Sequence, residues 1–230
     1  MLDIPYQRQE HPTGCGAAAL AMVYASLGVP ATQADLWPAV SQERHGELRC
    51  FTHRLCRNAL DRGLAAVILR TREAWPTLTR CLAASVHVIL HHRLASNNKS
   101  GHYSVLLGLT DDSVYLHDPS LGAHRCLPRA EFLRLWSPTA GHSEVVGHVL
   151  VAVASVPGDD HCAVCQQPIP TEVSCALCKA SIVLRPSAAV GCLHQACPGR
   201  LFETCYCPAC DMSLWWMNPP PLLRPGVTHG

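Results

Sequence analysis

From Cys15 to Ser26 the chain reads CGAAALAMVYAS, apolar with scarcely a polar break, and Gly28 and Pro30 follow it. This pattern predicts a buried helix over that span. A short opening strand over LDIPYQ is expected before it, and after it a short helix from Thr32 or Gln33, limited by Pro38. THRLCRNALDRG reads as a helix with Thr52 as N-cap and Gly63 as its stop. LAAVILR is a buried strand, and PTLTRCLAA a helix with Pro76 in its first turn. VHVILHH is a strand followed by the polar loop RLASNNKSG. HYSVLLGL, the turn TDDS and VYLHDP form a hairpin. PRAEFLRLW is a short helix, and EVVGHVLVAVAS closes the set as a strand. Helices come first and antiparallel strands later, which predicts an α+β fold.

The cysteines change the picture. Cys15, Cys50, Cys56, Cys81 and Cys126 are spread over the first 157 residues, whereas nine more crowd between Cys162 and Cys210. SVPGDD, at 155–160, separates the two parts. The expected organisation is a catalytic domain over 1–156, a small zinc-stapled module over 161–217 and a proline-rich, disordered tail over 218–230. The formal net charge of +1 gives no footprint for a nucleic acid. No secretory signal and no membrane-spanning run is visible, so the expected location is the cytoplasm, where thiols stay reduced and paired cysteines bind metal.

Cys15 lies where a helix should begin, between Gly14 and Gly16. Unpaired amides at a helix start stabilise a thiolate, and the flanking glycines let a substrate backbone approach. Taken alone, a free cysteine is more often a small buried hydrophobe. A nucleophile also needs a base and a group to orient it. His102 opens one hairpin strand and Asp118 ends the next. An odd-length loop centred on Asp111 sets them on one face, diagonally adjacent; a two-residue loop separates them. Gln9, six positions before Cys15, could donate to an oxyanion with the Cys15 N–H. Singly, these three read as a strand-end histidine, a turn aspartate and a surface glutamine. Together they point to catalysis.

The segments LDIPYQRQ, GCGAAALAMVYASLG, GHYSVLLGL and VYLHDP resemble the bacterial double-glycine leader (bacteriocin-processing) peptidase family, especially its stand-alone relatives. That family belongs to the papain-like cysteine peptidases. The resemblance covers roughly residues 2–154. It implies a papain-like fold, Cys15 as nucleophile, His102 as general base and acid, Asp118 as orienting group and Gln9 as oxyanion donor. The implied reaction is hydrolysis of a peptide or protein substrate through a thioester. Gly14 stands where transporter-linked members have an aspartate, and the cysteine-rich part has no place in the family pattern. Two other outcomes remain open from sequence. One is a transglutaminase-like acyl transfer on the same triad; the other is a non-enzymatic zinc-binding adaptor.

Two C-x2-C knuckles, Cys162/Cys165 and Cys175/Cys178, suit one tetrahedral zinc. His194, Cys197, Cys207 and Cys210 repeat the spacing, with Cys192 as an alternative to His194. This predicts two structural zinc ions, most simply in two sequential ribbons. The other arrangement is cross-braced and RING-like, pairing the first knuckle with Cys192/His194/Cys197 and the second with Cys207/Cys210. From His161 onward Lys179, Arg185, Arg200 and Arg224 face Glu172, Glu203 and Asp211, a balance that favours protein recognition over nucleic acid. Trp215 and Trp216, with Leu214, are expected to complete the module's core or face the peptidase domain. His87, His91 and His92 lack converging acidic partners and read as strand residues. Cys50, Cys56, Cys81 and Cys126 read as buried thiols, and Trp37, Trp75 and Trp136 as packing residues.

Overall fold

The computed structural model describes residues 1–94, 97–138 and 144–214; Trp215, Trp216 and the tail lie outside them. In chain order the elements are α1 (Cys15–Ser26), α2 (Gln33–Val40), β1 (Ser41–Arg44), β2 (Glu47–Cys50), α3 (Thr52–Asp61), β3 (Ala65–Thr71), α4 (Ala74–Ala83), β4 (His87–Leu94), β5 (Asn97–Leu109), β6 (Ser113–Asp118), β7 (Gly122–Pro128), α5 (Arg129–Trp136) and β8 (Val149–Ala154). The cysteine-rich part adds β9 (Glu172–Ser174), β10 (Ser181–Val183), α6 (Ser187–Val190) and β11 (Phe202–Tyr206).

Seven strands form one sheet in the order β11-β3-β8-β4-β5-β6-β7, and each neighbouring pair is antiparallel. The fold is α+β, with helices on both faces. Odd-numbered residues of β8, Val149, Val151 and Val153, pack with α1, α2 and α3, while Leu150, Ala152 and Ala154 pack with α4 and α5. Both faces of β8 are buried, which is why its sequence is an unbroken apolar run rather than an alternation.

The cysteine-rich part shares this architecture. β11 is an edge strand of the main sheet, with Tyr206 opposite Ile68. Ile182, Leu184, Val190, Phe202 and Leu214 join the same core as Phe132 and Trp136. A segment with so few large apolar residues gains most of its burial by leaning on its neighbour.

Several local expectations are revised. Residues 1–9 form no strand: they lie along the sheet through single bonds, Leu2 N–H to Leu107 O at 2.8 Å and Gln9 N–H to Pro119 O at 3.0 Å. The second helix passes through Pro38, whose ring removes one amide from an eight-residue helix that Thr32 and Asp35 hold with a reciprocal capping box. Thr52 is the first residue of α3 rather than its N-cap; its hydroxyl shares a 2.8 Å hydrogen bond with Tyr103. β5 starts at Asn97, inside the expected loop, and the β1–β2 hairpin and β7 carry no apolar run that would have announced them. Cys56 and Cys81 are buried, but Cys126 is exposed, because it lies on the outer face of β7.

Candidate active site and metal centres

His102 and Asp118 reach one face by a route the loop argument did not foresee. The β5–β6 turn is closed by Thr110 N–H to Ser113 O at 2.9 Å, leaving two residues, Asp111 and Asp112, at the tip. Leu109 pairs with Val114 there, the register that separates the two side chains. Between Leu106 and Gly108 the strand then bulges, and beyond it Val105 pairs with His117. One extra residue flips the facing of everything that follows. His102 therefore stands diagonally across from Asp118, and its Nε2 lies 2.8 Å from Asp118 Oδ1.

The pair is secluded: His102 is 3% exposed and Asp118 is 1% exposed. Asp118 Oδ1 also accepts the Ser120 and Leu121 N–H groups, each at 2.9 Å, and Oδ2 accepts from Arg125 at 3.2 Å. Burial pushes the Asp118 carboxyl up, but the His102 hydrogen bond and charge and the two amides outweigh it and hold it at about 2. Burial likewise pushes the imidazole down, and the hydrogen bonds to Asp118 and Cys15 outweigh it, raising His102 to about 9. With Nε2 on the carboxylate, Nδ1 is the ring nitrogen left for other partners, and Cys15 lines the same cavity.

Cys15, buried at 8% exposure, is the first residue of α1. No side chain caps this helix, and no acidic residue lies in its first turn. Instead Cys50 packs directly against the first turn, over Gly16. A Cβ on Gly16 would lie 2.6 Å from Cys50 Cβ, so only glycine admits this approach. Cys50 is thus a site residue rather than the plain buried thiol expected. Burial, then the nearby Cys15, push its thiol up to about 12. Its position depends on the β1–β2 hairpin, which no spacing signal marks.

Gln9 also faces the cleft, but its Nε2 donates to His11 O at 3.0 Å and to Pro12 O at 2.8 Å, while Oε1 is buried without a partner. Both amide hydrogens are spent on the loop, so donation to an oxyanion requires one of these bonds to open. Gln9, Cys15, Cys50, His91 and His102 line one cavity of about 240 Å³.

Behind His102 stands His92, its ring edge-on at 5.6 Å. His92 Nδ1 donates to Arg93 O at 2.8 Å, so Nε2 accepts from the Ser104 hydroxyl at 2.9 Å. Burial, then the charge of His102, hold it neutral, down at about 4. His92 and Arg125 are neighbours that no motif marks; the first is visible only as the strand partner of His102. His87 bonds Ser26 and joins no ligand group among the described residues.

The metal-ligand candidates form two groups of four thiols, Cys162/Cys165/Cys192/Cys197 and Cys175/Cys178/Cys207/Cys210. This is the cross-braced pairing, and it replaces the sequential ribbons expected from spacing. The antiparallel β9–β10 hairpin carries the Cys175/Cys178 knuckle at its turn, and each early knuckle meets a partner from the later stretch instead of its sequence neighbour. His194 is exposed, and its backbone N–H donates to Cys192 Sγ at 3.3 Å; Cys192, and not His194, belongs to the four-thiol group. Cys205, left unassigned by spacing, is buried in the main core.

The donor sets fit a tetrahedral thiolate-binding ion. Paired sulfurs lie 3.8, 3.5, 3.7 and 3.7 Å apart. A tetrahedron with ~2.3 Å zinc–sulfur bonds has edges of about 3.8 Å. Backbone N–H groups of Val164, His194, Gly199 and Ala209 point at four of the sulfurs, as they do around thiolates. All fourteen cysteines are free of disulfides.

The model of the Peptidase C39 family matches residues 3–140. A C39-like peptidase from Bacillus anthracis superposes with a TM-score of 0.53 at 18% identity, covering 67% of this chain and 96% of that one. The peptidase domain of Streptococcus ComA, a bifunctional ABC transporter of a quorum-sensing pathway, gives 0.50 at 14% identity, covering 68% and 100%. A double-glycine-motif protease from an AMS/PCAT transporter, solved with its leader peptide, gives 0.49 at 22% identity, covering 66% and 92%. No curated protein matches. No helix among the described residues is long and apolar enough to cross a membrane.

Proposed function

The chain belongs to the Peptidase C39 family and is a cysteine peptidase, and we propose that it hydrolyses peptide bonds with Cys15 as nucleophile, His102 as base and acid, and Asp118 as the group that orients the imidazole. The buried His102–Asp118 contact at 2.8 Å, with Cys15 on the other side of the ring, carries this reading. An imidazolium stabilised by a carboxylate and facing a thiol at a helix start is the arrangement a thiolate nucleophile needs.

In the reaction the Cys15 thiolate attacks the scissile carbonyl carbon. The backbone N–H of Cys15, the first residue of α1, is the main-chain donor to the oxyanion. Gln9 joins it after releasing Pro12 O or His11 O. The imidazolium gives its proton to the leaving amine, and the C–N bond breaks to leave a thioester. Water then attacks while His102 takes its proton. The tetrahedral intermediate collapses to a carboxylate and the free thiolate.

In this reading the two cysteine groups hold structural zinc. Four protein thiolates close each site, leaving no position for substrate, so the ion staples the chain and does no chemistry on the peptide bond. Fourteen reduced thiols suit the cytoplasm. The test is a proteome-derived peptide library incubated with the protein and with Cys15→Ala, followed by mass spectrometry of new ends. Cleavage by the first only is expected; equal cleavage by both would remove Cys15 from the reaction. New amide links instead of new carboxylates would mark acyl transfer.

A further inference from the structure

The cavity holding Cys15 does not end at Cys50. Arg49, Cys50, His91, Tyr103 and Glu144 also line a second cavity, of about 290 Å³, which continues to Tyr206 and Asp211 of the cysteine-rich part. We propose that this second cavity is a substrate subsite for a bulky apolar side chain, and that Tyr206 from the cysteine-rich part forms one of its walls. This rests on the reading of Cys15 as nucleophile.

The lining carries the choice of ligand. Phe51, Ile68, Tyr103, Val149 and Tyr206 form an aromatic and aliphatic surface. The charged groups around it are engaged or peripheral. Arg49 is paired with Glu47 and Glu144, and Glu144 also accepts the Gly101 N–H at 2.8 Å. Asp211 lies 3.7 Å from His53, and Arg44 is exposed. The space suits a leucine or phenylalanine side chain, and such pockets take orientation from a few polar rim groups.

The wall is fixed by the fold. Tyr206 is the last residue of β11, opposite Ile68 in the sheet and bridged to Ser213. The next residue is Cys207, whose N–H donates to Met212 O while its carbonyl accepts from Asp211, both at 2.9 Å. The knuckle that presents a thiol to one metal group therefore also presents Tyr206 and Asp211 to the cleft. The cysteine-rich part is continuous with the substrate cleft and shapes what the nucleophile can accept.

The experiment is cleavage-site profiling of the full chain on the same type of peptide library. The protein, Tyr206→Ala, Tyr206→Phe and Cys15→Ala are run in parallel. The protein should enrich leucine and phenylalanine over alanine at one position beside the cut, by roughly tenfold. Tyr206→Ala should reduce that enrichment to about twofold or less, and Tyr206→Phe should keep it. If Tyr206→Ala does not fold, Tyr206→Trp replaces it and should exclude phenylalanine while still admitting alanine. Unchanged enrichment in these variants, no apolar preference at any position, or a preference for acidic or basic residues there would overturn the subsite. Those results with cleavage still dependent on Cys15 would leave the nucleophile standing. Cleavage persisting in Cys15→Ala, or absent from the protein itself, would defeat both.

Discussion

The catalytic corner and the cysteine-rich part solve the same problem, holding a few polar atoms at fixed distances, by opposite means. At the corner a strand register does it: a bulge near Leu107 brings His102 across from Asp118, and burial keeps the pair dry. In the cysteine-rich part short knuckles gather sulfurs into two groups of four, and the first of these, around Cys162, Cys192 and Cys197, packs apart from the main core. The first arrangement is preorganised by the core. The second gains its rigidity from the ion it would bind. A defect at the corner should therefore stop chemistry and spare the fold, whereas a defect in a thiolate group should loosen the fold and reach chemistry only through it.

The sharpest break comes from Cys15→Ala: peptide cleavage is expected to fall by about 10⁴-fold or more, with metal content and melting temperature unchanged. Asp118→Asn should cost on the order of 10³-fold in kcat, since it loses the carboxylate that fixes the imidazole. Cys192→Ser should lower metal content from about two ions per chain to about one and lower the melting temperature by several degrees. His194→Ala should leave both ions in place; loss of an ion on that substitution would restore the sequential pairing. The pH profile separates the regions again. His102 is raised above its unfolded value, so its contribution to stability is complete below about 6.5 and is lost as pH rises through about 9. Cleavage should decline over that upper range as the imidazolium that protonates the leaving amine disappears. Asp118 is depressed to about 2, so its contribution holds above about 4 and fades as pH falls toward 2. Smallest of all, Arg125→Ala should cost about 1 kcal/mol or less in stability, because that side chain is partly open to solvent.

Much of this was legible from residues. The helix at Cys15, the two strands bearing His102 and Asp118, and seven of the eight grouped thiols are marked by periodicity or spacing, whereas Cys192 enters only as an alternative to His194. Three things were not. The bulge that restores the His102–Asp118 facing leaves no clear trace, because Leu106, Leu107 and Gly108 read as ordinary strand. Cys50 lies far from Cys15 in sequence and reaches it through a polar hairpin. The cross-bracing was hidden because spacing marks pairs of neighbouring ligands and not which pairs share a centre, and only the path of the chain between knuckles chooses. Ligand identity is local information, whereas partnership is topology.

The docking of β11 on β3 has one more consequence. The β3 strand, AAVILRT, is almost wholly buried and apolar, and from Ile68 to Thr71 its outer hydrogen-bonding groups are taken up by β11. Without that cover it would present an open apolar sheet edge, the kind that recruits another copy of itself. The cysteine-rich part covers that edge, and a chain cut after 157 is expected to aggregate in proportion to its concentration.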